Sequence, residues 1–299
     1  MNKTTIMNFD EFTEYAKEHI KGYLPEEYQS AEVILQTVKK NNEQYTGLTV
    51  KREEKNFAPI ANMEKLYEYY RMTGSIEQVM EGLSTIAQMK APQEIDENIV
   101  KDYERIKDKL FVRLSPVEGN EAIMEDSPYQ MQADMMLTYH IYVPSEDGFM
   151  QIRITQQLLD NFGVTREQLH RDAISNTPNI FTPEILVAGD PEEDHPMLVV
   201  TNTQGMLGAS AIFCEGIMDK VAAMMKGDYF ILPSSIHEMI AVPNNGRRDS
   251  AELEAMVKQA NRIVVKPEDI LSDTVYHYDP KTQIFERADA YEKRAWIGA

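Results

Sequence analysis

One cysteine, Cys214, stands alone in 299 residues. A single thiol excludes an internal disulfide framework and any multi-cysteine metal cluster. Long hydrophobic runs are also missing. The uninterrupted apolar stretches are a few residues each, against the ~20 that a spanning helix needs. The opening Met1-Asn-Lys-Thr-Thr-Ile-Met-Asn-Phe-Asp10 has no long apolar stretch of the signal-peptide kind and leads straight into a capped helix, so a cytoplasmic location away from any membrane is expected. Positive charge is scarce. Lys and Arg number 30 against 49 Asp and Glu, a formal net charge of −19. Residues 121–299 carry −14 of it, and residues 121–194 hold 14 acidic side chains against only Arg153, Arg166 and Arg171, a balance of −11. A phosphate backbone rewards Lys and Arg, so direct nucleic-acid binding is not expected. The same balance suits a basic protein partner, a nucleic-acid mimic, or simply a soluble acidic surface.

Motifs that fix a reaction are absent too. No Gly-x-Ser-x-Gly elbow, Gly-x-Gly-x-x-Gly fingerprint, Gly-Lys-Ser/Thr loop or His-Glu-x-x-His pair occurs, so no cofactor and no metal is expected. There is no fixed-period repeat and no low-complexity segment.

What is present is an ordinary globular composition, 42% hydrophobic and 26% charged, in a chain long enough for one large or two modest domains. Asn8 and Glu11 predict a capping box, with Phe9, Phe12, Ala16 and Ile20 at helical spacing behind it. Ala31–Val38 and Tyr45–Val50 predict a hairpin, and Phe57–Ala61 a third strand. Asn62 and Ser75 are placed to cap two helices, Ser75 in a box with Gln78. Pro92 to Asp108 reads as charged helix and Lys109–Leu114 as a short strand. The pattern weakens over 115–133, which sets an expected boundary between subdomains 1–114 and 115–299. Beyond it, Met135–Val143 and Phe149–Ile154 predict a hairpin. Thr155 and Thr165 predict capped helices, with Gly163 as a C-terminal cap between them. Ile185–Ala188 and Met197–Thr201 predict strands, Ser210 to Met225 a helix, and Tyr229–Leu232 with Ile236–Val242 paired strands. Ser250–Ile263 predicts a helix, and Thr274–Tyr278 with Ile284–Arg287 a closing hairpin. Tight turns between many strand pairs imply antiparallel ladders, hence an α+β fold with interleaved amphipathic helices.

Four segments carry a resemblance: Met7-Asn-Phe-Asp-Glu-Phe-Thr13, Tyr23-Leu-Pro-Glu-Glu-Tyr28, Tyr229-Phe-Ile-Leu-Pro-Ser-Ser-Ile-His-Glu238, and Val264-Val-Lys-Pro-Glu-Asp-Ile-Leu-Ser-Asp273 with Tyr276-His-Tyr278 after it. Over nearly its whole length the chain resembles the Firmicute family catalogued as domain of unknown function 5688, abundant in gut Clostridia. More distantly, the order of elements is similar to the bacillar family of domain of unknown function 1444. Neither resemblance implies a catalytic residue.

The densest group of reactive side chains is Ser234, Ser235, His237 and Glu238, set between two apolar runs. A hydrolase reading makes His237 the base for Ser235. In a continuous strand those two share a face while Glu238 points away, which argues against a self-contained triad. The competing reading is a Pro-Ser-Ser turn whose hydroxyls satisfy backbone groups. Cys214, near the start of the expected helix, is a candidate thiol for His237 or His195; its competing role is a small apolar core residue. Asp190, Glu192, Glu193 and Asp194 offer hard oxygen ligands beside His195, without the register or glycine of a calcium loop; a solvated loop is the alternative. Gly205-Met-Leu-Gly208 sits where phosphate loops occur, with Asn202, Thr203, Gln204 and Ser210 beside it as polar ligands or as turn and cap. The 18 Met and 15 Tyr include Met135, Met136, Met218, Met224 and Met225, at spacings that favour core over an adaptable surface. The leading expectation is a non-enzymatic binding protein whose acidic C-terminal half engages a basic protein partner.

Overall fold

The computed structural model describes residues 6–40, 43–52, 58–89, 102–145, 148–188 and 197–297. Every strand pairing among them is antiparallel, and helices alternate with the sheets, so the fold is α+β. Contacts divide the chain into two compact units, Met1–Ile95 and Asp96–Ala299.

In the first unit, α1 (Phe9–His19) opens on a complete capping box, with the Asn8 side chain accepting from the Glu11 amide and the Glu11 carboxylate accepting from the Asn8 amide, both at 2.9 Å. β1 (Glu32–Lys40) and β2 (Glu43–Lys51) pair along their full length, and β3 (Ile60–Asn62) adds to β2. The described third strand begins at Ile60; Phe57, the expected start, lies outside the described residues. Asn62 caps α2 (Met63–Thr73), which stops at Gly74 in the left-handed region, φ +68°. Ser75 caps α3 (Ile76–Ala87), but the box is not closed: the Gln78 side chain accepts from the Tyr69 hydroxyl instead. The core centres on Phe12, stacked on Tyr70 with ring centroids 5.6 Å apart, together with Met63, Met80 and Leu83.

The second unit holds two sheets. The smaller is built from β4 (Leu110–Pro116), β5 (Tyr129–Gln132), β6 (Met135–Ser145) and β7 (Gly148–Arg153). The long β6 takes β4 on one side, and β5 and then β7 on the other. The expected division at 114/115 falls inside β4, whose pairing with β6 ties it to the strands that follow. The weakly patterned stretch 115–133 contains α5 (Glu121–Asp126) and β5. Of the helix expected from Pro92, residues 92–101 lie outside the described ones; α4 (Tyr103–Ile106) is its described remainder. α6 (Gln156–Phe162) and α7 (Arg166–Ile180) begin at Thr155 and Thr165, each hydroxyl accepting from the amide three residues on.

The larger sheet has the order β13-β12-β10-β11-β9-β8, from β8 (Pro183–Ala188), β9 (Met197–Asn202), β10 (Tyr229–Ser235), β11 (Glu238–Pro243), β12 (Tyr276–Asp279) and β13 (Ile284–Arg287). The run Tyr229-Phe-Ile-Leu-Pro233 is buried on both sides, which is why it reads as continuous apolar sequence instead of alternating. Phe230 and Leu232 pack with Leu253 and Val257 of α9 (Ser250–Ile263). On the other face the Tyr229 hydroxyl donates to the Met218 carbonyl of α8 (Ile217–Met225) at 3.1 Å. The single helix expected from Ser210 to Met225 is broken. Gly208–Phe213 is a 3₁₀ turn, and α8 starts only after Gly216, whose φ of +73° no continuing helix accommodates. α10 (Ala288–Ile297) closes the described chain. No helix among the described residues is long and apolar enough to cross a membrane.

Candidate functional site

The Ser234–Glu238 segment is the tip of the β10–β11 hairpin. The strands run to Ser235 and resume at Glu238, so Ile236 and His237 form a two-residue turn and do not continue a strand. A register shift between Pro233 and Ser235 precedes it. Neither Ile236 nor His237 has positive φ, unlike the primed turns that two-residue hairpins favour. The turn is held from outside. The Ile236 amide donates to the Asp269 carbonyl at 2.8 Å, and the Ile236 carbonyl accepts from the Ala209 amide at 3.2 Å. The His237 carbonyl accepts from the Thr201 hydroxyl at 2.8 Å. Each of these is a backbone group that a tight turn would otherwise leave open.

The side chains are engaged in the same bracing. Ser234 donates to the Glu238 carboxylate at 2.9 Å, and Ser235 Oγ accepts from the His237 backbone amide at 3.0 Å. On the half-buried imidazole, Nδ1 accepts from the Leu207 amide at 3.1 Å, which places the ring proton on Nε2. That nitrogen lies 3.4 Å from Asp269 Oδ1. Among the described residues the imidazole meets Leu207 and Asp269, and neither serine nor Cys214 hydrogen-bonds to it. The structure therefore brings Ser235 to the backbone of His237, and an acid the sequence reading had not considered, Asp269, to its ring. Cys214 ends the 3₁₀ turn and does not open a helix. It is buried, and burial pushes its thiol up to about 11, away from the reactive thiolate.

The glycine-bearing loop closes on itself. Asn202 Nδ2 donates to the Met206 carbonyl at 2.7 Å, while Asn202 Oδ1 accepts from the Gln204 amide at 3.0 Å. Gln204 reaches the Ile180 carbonyl, and Ser210 the Leu207 carbonyl. Thr203 is exposed. Gly208 lies against the turn: a Cβ there would sit 2.5 Å from the His237 carbonyl and 2.9 Å from the Asn202 amide. Asp190, Glu192, Glu193, Asp194 and His195 all lie outside the described residues. No group of three or more His, Cys, Asp or Glu is placed to hold a metal among the described ones. Met135 and Met136 are core, whereas Met224 is exposed.

Two features carried no signal in the sequence reading. Arg113 of β4 is 8% exposed, with Nε unpartnered; burial pushes it down to about 10, partly offset by the field of Asp269. The charge of Asp269 thus acts on a buried cation as well as lying against the His237 ring. The second feature is a cavity of about 470 Å³ where β5 and β6 meet the first turns of α7. Both depend on which strand lies beside which, information that local spacing does not hold.

Fold and site together define an α+β protein of antiparallel sheets, with a braced hairpin tip in its second unit. Over residues 9–280 the chain matches, and belongs to, the family described as a family of unknown function (DUF5688). No curated protein and no solved structure matches it.

Proposed function

We propose that this chain is a non-catalytic binding protein whose acid-rich second unit engages a basic protein surface. The observation that carries the reading is the charge: the 14 acidic side chains of residues 121–194 face a total of three arginines. Glu121, Glu125 and Asp160 are among the exposed ones. A field of one sign steers an oppositely charged partner and rejects like-charged ones. The hairpin tip supports the same reading, since its hydroxyls engage the Glu238 carboxylate and the His237 amide and its imidazole engages the Leu207 amide and Asp269, where a nucleophilic mechanism requires the base to hold the attacking group.

The test is capture from native lysate on the full chain at low and at high salt, repeated with Glu121→Gln, Glu125→Gln and Asp160→Gln combined. The expected outcome is a defined basic partner that salt releases and the triple variant weakens several-fold. A partner held equally well in high salt, or unaffected by removing the three charges, would count against an electrostatic interface.

A further inference from the structure

Arg153, Arg166 and Arg171 are the only lysine or arginine residues between 121 and 194, and the fold treats them differently. Arg153 pairs with Asp126 at 3.2 Å. Arg166 and Arg171 make no ion pair among the described residues, and both line the cavity between α7 and the smaller sheet. In an acid-rich stretch, two cations left without a carboxylate partner and directed to one concavity form a local positive site within a negative surround.

The rest of the lining fits an anion with a flat apolar body. Tyr129 contributes a ring with the Arg166 guanidinium 5.9 Å from its centroid. Met131 of the same strand also lines the wall and is exposed in the structure. Deeper, the fully buried Tyr139 holds its hydroxyl 3.1 Å from His170 Nδ1, so Nε2 is the ring nitrogen left for a ligand. Glu167 is the one carboxylate in the wall. It is held below the usual carboxylate range first by its own backbone amide and the Thr165 hydroxyl, and further by the fields of Arg166 and Arg171, so one carboxylate offsets part of the charge of two arginines. The volume is within the range of small-ligand sites. Guanidinium forks recognise carboxylate and phosphate oxygens in pairs, and aromatic and thioether side chains take flat rings.

We propose that this cavity binds a small aromatic anion, its carboxylate or phosphate head on Arg166 and Arg171 and its ring against Tyr129 and Met131. The site uses none of the three carboxylates tested above, so its test is independent of that reading.

The experiment is isothermal titration of the full chain with phenyl phosphate and with benzoate, alongside inorganic phosphate, acetate and phenol as half-ligands. At least one aromatic anion should bind with a stoichiometry of one, more tightly than phenol and than the half-ligand that shares its head group. Whichever of the two is preferred identifies the head group. Arg166→Gln with Arg171→Gln should weaken binding at least tenfold, and Tyr129→Leu should remove the advantage over the half-ligand that shares its head group. Arg248→Gln, on an exposed turn elsewhere, should change nothing. Both arginines are exposed, so the variants are expected to fold, and circular dichroism checks this. Absence of binding by both aromatic anions at millimolar concentration overturns the proposal. So does binding that the double arginine variant leaves unchanged, or inorganic phosphate binding as tightly as phenyl phosphate.

Discussion

Gly208 and His237 show how one residue's chemistry is set by what folds against it. Gly208 has no Cβ, and the His237 carbonyl and Asn202 amide occupy the space a Cβ would need. Both are backbone atoms, one in a braced turn and one in a paired strand, so they cannot swing aside. Gly208→Ala should therefore destabilise the second unit by on the order of 3 kcal/mol or more, at the upper end of overpacking costs. Gly205→Ala should cost only about 1 to 2 kcal/mol, because nothing lies within 4 Å and only its φ of +63° is at stake. Thermal unfolding of the two variants side by side checks the order; equal losses would mean the close approach is not what selects glycine at 208. The same packing explains the imidazole. His237 is legible in the sequence as a reactive type among serines, but its partners, Leu207 and Asp269, lie 30 and 32 positions away. Alternation along a strand assigned it a face it does not have, because Ile236 and His237 are the turn.

At the scale of elements, β4 is the edge of its sheet, and its outward backbone groups need covering. α7 supplies the cover. The Val112 amide donates to Thr177 Oγ1 at 3.0 Å, the Thr177 hydroxyl donates onward to the Ala173 carbonyl at 2.7 Å, and Asn176 Nδ2 donates to the Leu110 carbonyl at 2.9 Å. Thr177→Val keeps the shape and removes the acceptor, leaving a buried amide without a partner. The expected cost is about 1 to 3 kcal/mol in urea unfolding at an unchanged m-value. A loss within a few tenths of a kcal/mol would show that another acceptor takes the amide. Helix starts were well legible, since Asn8, Asn62, Ser75, Thr155 and Thr165 all cap as their spacing predicts. A cap is a contact between residues three apart. The break at Cys214–Gly216 was not legible: Phe213, Ile217, Val221 and Met225 keep helical spacing across it, and only the backbone reversal at Gly216 separates the two pieces.

For the molecule as a whole, buried histidines set the response to acid. His140 is fully buried, and burial together with the fields of Arg113 and Arg153 holds its pKa well below the ordinary value; burial lowers His170 and His277 as well. A histidine neutral in the folded state and titrating near 6.5 when unfolded takes up its proton only on unfolding in the interval between. Stability is therefore intact above about pH 6.5 and falls as the pH drops below it, by up to roughly 1.4 kcal/mol per pH unit for each such group. Denaturant unfolding from pH 7.5 to 5 should show this decline, and His140→Gln should flatten it. An unchanged slope in the variant would assign the effect to other groups.

Local chemistry is what the amino-acid sequence determined by itself: the α+β class, the helix caps, the hairpins, the acidic balance and the family. Each rests on composition or on contacts a few residues apart, which linear spacing encodes directly. Tertiary structure alone decided the rest. It placed β4 with β6 across a boundary drawn between them, put Asp269 against the ring of His237, and gathered two of the three arginines of residues 121–194 with two tyrosines around one cavity. Those arrangements depend on pairings between residues tens of positions apart, and such pairings exist only once the chain has folded back on itself.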